Sequence, residues 1–241
     1  MIVTIYLFIL TYFILGGLCF YYIYRNKEAH IAAKNRVKFI SYFIIIHILF
    51  FSIIFNPMVF YYLALLIILG SLADMIKLFR QSGYAKKGFF TFSLLLFIVF
   101  SGGFICFSRM DKNLVLFTFL IVSVFDAFSQ ISGQLLGRNR LFPSVSPGKT
   151  LEGLIGGALI AIASAYMLKG LAGISSLNTF LLVSGIILFA FTGDAVTSLY
   201  KRKYRVKDFS NLIPGHGGFL DRFDSLVAGA TFITILDFLG I

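Results

Sequence analysis

Two aspartates three residues apart begin the last long apolar run of the 241-residue chain. Asp221 and Asp224 would share one face of a helix, since residues i and i+3 are neighbours on its surface. Ionised carboxylates next to lipid are costly unless they are paired or bound to a metal ion. Hard oxygen ligands suit Mg²⁺, which normally keeps waters and a substrate phosphate in its shell. The spacing therefore predicts a magnesium and phosphate site where a helix enters a membrane.

The stretch before this pair contains further groups that bind phosphate. It includes the charged residues Lys201, Arg202, Lys207 and Asp208, then Pro214 and the glycines Gly215, Gly217 and Gly218 around His216. Glycines permit positive φ and close backbone approach, which helps a loop to surround phosphate oxygens. A basic loop followed by a charged helix start is the simpler interpretation. It explains the basic residues, but not the two acids that flank Arg222.

Asp194 is a third acid within an apolar region. It lies near the end of the run at residues 178–199, seven residues or about two helical turns before Lys201. An ionisable residue inside a membrane is a functional candidate by default, because its burial is costly. The alternative is a carboxylate that only pairs with a neighbouring Lys or Arg.

A second group of phosphate-binding residue types comprises Ser146, Lys149 and Thr150, within Ser-Pro-Gly-Lys-Thr. The segment is similar to the end of a P-loop, but the first glycine of the Walker spacing is missing and we expect no strand before it. We therefore exclude a P-loop NTPase. Hydroxyls and a lysine before a helix N-terminus still suit a phosphate. A plain helix cap by Ser146 or Thr150 is the alternative.

The composition shows what kind of molecule must position these residues. The chain is 59% hydrophobic and only 13% charged, with a mean hydropathy of +0.94. A soluble domain is about a quarter charged, so a soluble globular protein is excluded. The net charge of +11 would suggest nucleic acid in a soluble protein, but basic loops and anionic lipid or phosphate explain it better here. Cys19 and Cys106 lie in apolar runs and form no disulfide framework or metal spacing.

We predict an all-α, polytopic membrane bundle of about eight spans, with an error of one. The apolar runs lie near 2–24, 39–55, 58–73, 89–107, 114–136, 153–168, 178–199 and 223–240. Every second connection is basic, and these connections hold 18 of the 21 Lys and Arg residues. This pattern places both termini outside and the chemistry on the cytoplasmic side. We further predict that Gly153 and Gly157 serve close helix packing.

At these residues the chain resembles the phosphatidate cytidylyltransferase (CDP-diglyceride synthetase) family. The positions that match its signature are Ser198, Lys201, Arg202, Lys207, Asp208, Ser210, Ile213, Pro214, His216, Gly217, Gly218, Asp221, Arg222 and Asp224. A second family motif is similar to residues 146–153, and Gly193-Asp194 resembles the glycine-aspartate before the signature. The resemblance covers about 126–225. We accordingly divide the chain into N-terminal transmembrane helices, 1–125, and a catalytic region, 126–241.

The resemblance implies a nucleotidyltransferase of phospholipid biosynthesis, in which CTP and phosphatidate give CDP-diacylglycerol and pyrophosphate. Besides the Mg²⁺ that the carboxylates predict, it implies a second cation such as K⁺ and a homodimer. We see no long hydrophilic extension or retention signal and therefore expect a bacterial cytoplasmic-membrane enzyme. Our hypothetical assignment gives Asp194 and Asp221 as Mg²⁺ ligands and Asp224 as a ligand or orienting group. Lys201, Arg202, Lys207 and Arg222 would meet phosphates, Ser146, Lys149 and Thr150 would hold the nucleotide side or the pyrophosphate, and Asp126 and Asp208 would contribute. His216, Gly217 and Gly218 would form a loop around phosphate.

Two other functions use the same features. A CTP-dependent kinase of a polyprenol or phytol alcohol would take the same nucleotide but transfer its γ-phosphoryl group. A transporter could also contain intramembrane acids. Against the transporter, the polar residues cluster at one membrane face and no inverted repeat is visible. An inactive scaffold is the remaining alternative.

Overall fold

The chain forms a helical bundle with one short hairpin. The structure, a computed structural model, describes residues 2–25, 28–173, 176–210, 212–215 and 217–240, so His216 lies outside the described residues. The helices are α1 Ile2–Tyr24, α2 Ala29–Phe55, α3 Pro57–Gln81, α4 Lys87–Phe107, α5 Lys112–Leu136, α6 Leu151–Ala172, α7 Ser176–Lys203 and α8 Leu220–Phe238. The strands β1, Arg140–Phe142, and β2, Ser146–Thr150, lie between α5 and α6. The predicted all-α membrane bundle is confirmed.

Seven of the eight described helices, α1 to α7, are long and apolar enough to cross a membrane. This agrees with a count of eight spans to within one. The exception is α8, whose 19 residues include Asp221, Arg222, Asp224 and Asp237. A helix with four charged residues is a poor candidate for lipid contact. The other helices instead surround α8, which is buried along most of its length from Leu220 to Ile233.

The two helices α5 and α8 lie at the centre of the bundle. Among the seven candidate spans, α5 is the most buried, and it contacts α1, α2, α6, α7 and α8. The outer helices instead expose large apolar side chains such as Leu18, Leu66, Leu95 and Leu181. Polar groups on α5 and α8 are therefore kept from lipid, which is where a membrane protein can hold ionisable residues.

Small residues allow the central helices to approach closely. A side chain at Gly157 would overlap Ser129 of α5, and one at Gly153 would come within 2.7 Å of the Ser129 carbonyl oxygen. Close packing of α6 against α5 by these two glycines is thereby confirmed. Gly193 of α7 plays the same part against α8, since a Cβ there would lie 2.5 Å from that of Ala228.

The hairpin was not expected. β1 and β2 pair antiparallel, with Arg140 opposite Thr150 and Phe142 opposite Ser146. The prediction that no strand precedes Ser146 was therefore wrong, because Pro147 and Gly148 obscure the strand pattern that would mark it. The missing Walker glycine still excludes a P-loop. Thr150 also caps α6 by accepting a hydrogen bond from the Gly153 amide at 3.1 Å, so the cap interpretation is confirmed for this residue.

Candidate active site

A polar cavity of about 270 Å³ lies where α5, β2 and the start of α6 meet α7 and α8. Its lining contains four acids, two basic residues and several hydroxyls. The polar lining residues are Asp126, Ser129, Gln130, Ser146, Lys149, Thr150, Asp194, Asp221, Arg222, Asp224 and Ser225. The fold thus brings together segments that are up to a hundred residues apart in the chain, and eight of these eleven residues are site candidates named from the sequence.

Asp221 is the most heavily bonded acid of the cavity. Its carboxylate pairs with the Lys201 ammonium at 2.6 Å and accepts hydrogen bonds from the amides of Phe209 and Gly218 at 2.7 and 2.9 Å. Only 4% of the Asp221 side chain and 10% of the Lys201 side chain are exposed. The pair therefore fastens the end of α7, the following loop and the start of α8 to one point.

Asp194 and Asp224 have lighter bonding. Asp194 pairs with Lys149 of the hairpin at 3.0 Å, and 39% of its side chain is exposed. Asp224 is buried and accepts hydrogen bonds from the Thr197 hydroxyl and the Ser225 amide. Hydroxyl partners and an exposed ion pair can be exchanged for another ligand at little cost. These two carboxylates are therefore better placed than Asp221 to accept a cation.

Asp126 adds a further carboxylate on the same cavity. It lines the cavity together with Ser225, and both Asp126 and Asp224 lie close enough to Asp194 to interact with its charge. Among the described residues no three His, Cys, Asp or Glu side chains converge as a formed metal site. The metal role of Asp194, Asp221 and Asp224 stays a prediction, and so does the contribution of Asp126.

Other predicted site residues lie outside the cavity. The Arg202 guanidinium donates to the carbonyl oxygens of Val145 and Val206 at 2.9 and 2.6 Å, so it ties the hairpin to the loop after α7. Lys207 and Asp208 are exposed on that loop. None of the three lines the cavity. Their contact with phosphates stays a prediction.

The glycines of the loop have distinct structural tasks. Gly215 and Gly217 adopt φ of +77° and +88°, and a side chain at Gly217 would come within 2.6 Å of the Asp221 carboxylate. The expected positive φ is therefore confirmed at both positions. Gly218 instead allows the buried carboxylate of Asp74 to approach the chain closely.

Asp74 of α3 is a residue that sequence reasoning missed. Its carboxylate is 1% exposed and accepts a hydrogen bond from the Leu220 amide at 3.2 Å, at the first turn of α8. The α8 N-cap residue, Phe219, supplies no side-chain hydrogen bond of its own. Asp74 therefore satisfies an open amide of α8 from another helix and complements its dipole. An intramembrane acid is the available signal, but the third predicted span ends at residue 73, one residue before Asp74, whereas α3 continues to Gln81.

Arg222 connects the cavity to the N-terminal helices. Its guanidinium lies 4.2 Å from the ring centre of Tyr42 on α2, and the Tyr42 hydroxyl donates to the Ser123 carbonyl at 2.8 Å. Neither Tyr42 nor the neighbouring Lys38 was expected to bear on the site. A lone tyrosine within an aromatic-rich span offers no signal that distinguishes it from core packing.

Comparison with known proteins finds a family match over the part of the chain that forms this cavity. A model described as "Cytidylyltransferase family" matches residues 105–239. A phosphatidate cytidylyltransferase of Haemophilus influenzae is 39% identical over 131 residues, which are 52% of this chain and 46% of that protein. One of Rickettsia typhi is 27% identical over 218 residues, 86% of this chain and 94% of that protein. The chain spans about half the length of the H. influenzae relative and nearly all of the R. typhi relative.

Proposed function

This chain belongs to the cytidylyltransferase family, and we propose that it transfers the cytidylyl group of CTP to phosphatidate. The observation that carries the proposal is the cavity that Asp126, Asp194 and Asp224 line together with Lys149 and Arg222. Clustered carboxylates within a membrane bundle suit a divalent cation. Nearby basic groups suit the phosphates that such a cation accompanies.

The proposed reaction is a direct displacement. An oxygen of the phosphatidate phosphate attacks the α-phosphorus of CTP and forms a new P–O–P bridge, while the bond from the α-phosphorus to the bridging oxygen of pyrophosphate breaks. The lipid phosphate is already ionised at neutral pH, so no general base and no protein nucleophile are required. The demand on the protein is to bring two polyanions together and to stabilise the charge on the leaving pyrophosphate.

The chain's own groups divide this work. Lys149 and Thr150 hold the nucleotide's phosphates from the hairpin side, and Arg222 meets the lipid phosphate from α8. The pair of Lys201 and Asp221 keeps α7 and α8 in register, so that Asp194 and Asp224 present their oxygens to the same space. We propose Mg²⁺ held by Asp194 and Asp224, with Asp221 as a further ligand and a second cation such as K⁺. Bound there, Mg²⁺ would neutralise phosphate charge as a Lewis acid.

A labelled nucleotide tests the reaction. Purified chain is incubated with phosphatidate, Mg²⁺ and CTP carrying ³²P at either the α or the γ position. The proposal expects α-label in the lipid extract and one pyrophosphate released per lipid product, with Asp194→Asn as the inactive control. The γ-label in lipid, with a polyprenol or phytol acceptor, would instead establish the kinase. Nucleotide-independent flux in proteoliposomes without product would establish the transporter.

Location and assembly follow as parts of the same proposal. The chain is an integral membrane protein by its helices. We place it in a bacterial cytoplasmic membrane with the cavity on the cytoplasmic side, because both CTP and the basic connections belong there. We also propose a homodimer, which the family resemblance suggests. Nucleic acid has no part in the proposed activity.

A further inference from the structure

A second pocket of about 110 Å³ lies between α1, α2 and α5, next to the polar cavity. Most of its lining is apolar and largely aromatic: Phe13, Phe20, Phe39, Phe128 and Ile131. Its polar lining is Lys38, Tyr42, Asp126, Gln130 and Arg222. We refer to it as the aromatic pocket. It joins an apolar wall to two basic groups, a combination that fits a lipid with an anionic headgroup.

The aromatic pocket and the polar cavity share a wall. Asp126, Gln130 and Arg222 line both. The Nε of Arg222 is buried and has no hydrogen-bond partner among the described residues. A buried donor of this kind costs free energy until an acceptor reaches it. The Arg222 guanidinium can therefore donate a hydrogen bond to an acceptor in the aromatic pocket or in the polar cavity.

The position of the aromatic pocket suits a lipid phosphate. Lys38 lies in the basic region at residues 25–38, which charge patterning assigns to the same membrane face as the active site. The loop before α8 also contacts α2 here, since Ser41 donates to the Pro214 carbonyl at 2.8 Å and Gly215 lies against Lys38. Lipid phosphates lie at this interfacial level, with their acyl chains pointing toward the bilayer centre.

We infer that the aromatic pocket binds the acceptor lipid, with Lys38 and Arg222 on its phosphate monoester and the start of an acyl chain against Phe13 and Phe20. The inference rests on the proposed function, whose lipid substrate it locates. Bound in this way, the lipid phosphate lies at the shared wall, and the nucleotide occupies the polar cavity on the other side. The reacting groups then meet beside Asp126 and Arg222.

A larger apolar pocket of about 320 Å³ between α4, α7 and α8 is the competing location. It also reaches Asp224 and would accommodate an acyl chain. Its described lining contains no Lys or Arg, however, and it is formed mainly by side chains such as Phe92, Phe97, Phe100 and Leu199. A phosphate dianion there would face Asp224 without a compensating cation, which is unfavourable.

Tryptophan fluorescence tests the location without requiring turnover. The chain contains no Trp, so Phe20→Trp reports on the aromatic pocket alone. In phosphatidylcholine vesicles, brominated phosphatidate should quench this variant more strongly than brominated phosphatidylcholine does, and adding Lys38→Met should abolish the preference while Lys38→Arg retains it. Leu95→Trp, on the lipid-facing side of α4, is the matched control and should show no preference. Equal quenching of Phe20→Trp by both lipids, or a preference that survives Lys38→Met, would overturn the inference.

Steady-state kinetics provide the second readout. Lys38→Met should raise the KM for phosphatidate about 10-fold while leaving the KM for CTP unchanged, since a charge-assisted contact to one substrate is lost. Equal increases in both KM values would contradict the inference. If the wild-type chain forms no CDP-diacylglycerol but shows the quenching preference, the proposed function fails and the lipid pocket stands.

Discussion

At the scale of a single residue, Asp221 combines two tasks, one in the lining of the cavity and one in the stability of the fold. Its carboxylate lines the polar cavity, yet it also neutralises the buried Lys201 and accepts two backbone hydrogen bonds. A buried pair that loses one partner leaves an uncompensated charge, which costs about 3–5 kcal/mol. The role of Asp221 in chemistry therefore cannot be read from a single substitution.

A double substitution separates the two tasks. Asp221→Asn should abolish CTP-dependent product and lower the stability of the detergent-solubilised protein by about 3 kcal/mol, because Lys201 loses its counter-ion. Adding Lys201→Met should restore most of the stability without restoring turnover. Thermal unfolding and product formation are measured on the same preparations. Turnover that returns with stability in the double variant would show that Asp221 acts only through folding.

At the scale of a secondary-structure element, Asp74 fixes the position of the first turn of α8. It bonds the Leu220 amide from α3, and Gly218 provides the space for that approach. Because α8 bears Asp221, Arg222 and Asp224, the position of its first turn controls the geometry of the cavity. Because the cap of α8 comes from α3, this hydrogen bond couples the N-terminal half of the chain to the proposed catalytic region.

Removal of this cap should weaken both stability and activity. Asp74→Ala should cost about 1–2 kcal/mol of stability, as the loss of other helix caps does, and should reduce turnover. Asp74→Asn, which keeps an acceptor oxygen, should lose less. Asp237→Ala, at the exposed far end of α8, is the control and should behave as wild type. Equal behaviour of Asp74→Ala and that control would show that Asp74 does not position α8.

The topology of the whole molecule is predicted by its charges and can be tested by labelling. In a chain lacking Cys19 and Cys106, single cysteines at Gln81 and Ser144 should be protected from an impermeant maleimide in intact cells, whereas one at Lys112 should react. A cysteine at Leu239 should also react if α8 completes an eighth crossing. Protection of Lys112→Cys, or reaction of the Ser144→Cys variant, would contradict the assigned sides of the membrane.

Local patterns in the sequence predicted most of the bundle and the core of the site. Helix spacing alone brings Asp221 and Asp224 together, and burial cost singled out Asp194. Sequence patterns failed where position depends on distant contacts. The exposure of Lys207 and Asp208, the hydrogen bond from Asp74 and the approach of Arg222 to Tyr42 all follow from how helices pack. The hairpin was missed because it pairs two short, polar and proline-containing segments.

The central claim is that carboxylates of one cavity bind the metal ion that would accompany both substrate phosphates. A measurement of cation binding tests this claim most directly. Mn²⁺, as a spectroscopic substitute for Mg²⁺, is titrated into the purified chain and followed by electron paramagnetic resonance. The account predicts a site that is weakened at least about 10-fold in Asp194→Asn and in Asp224→Asn, and unchanged in Asp237→Asn. Equal Mn²⁺ affinity in all four proteins, or no bound Mn²⁺ in the wild type, would contradict it.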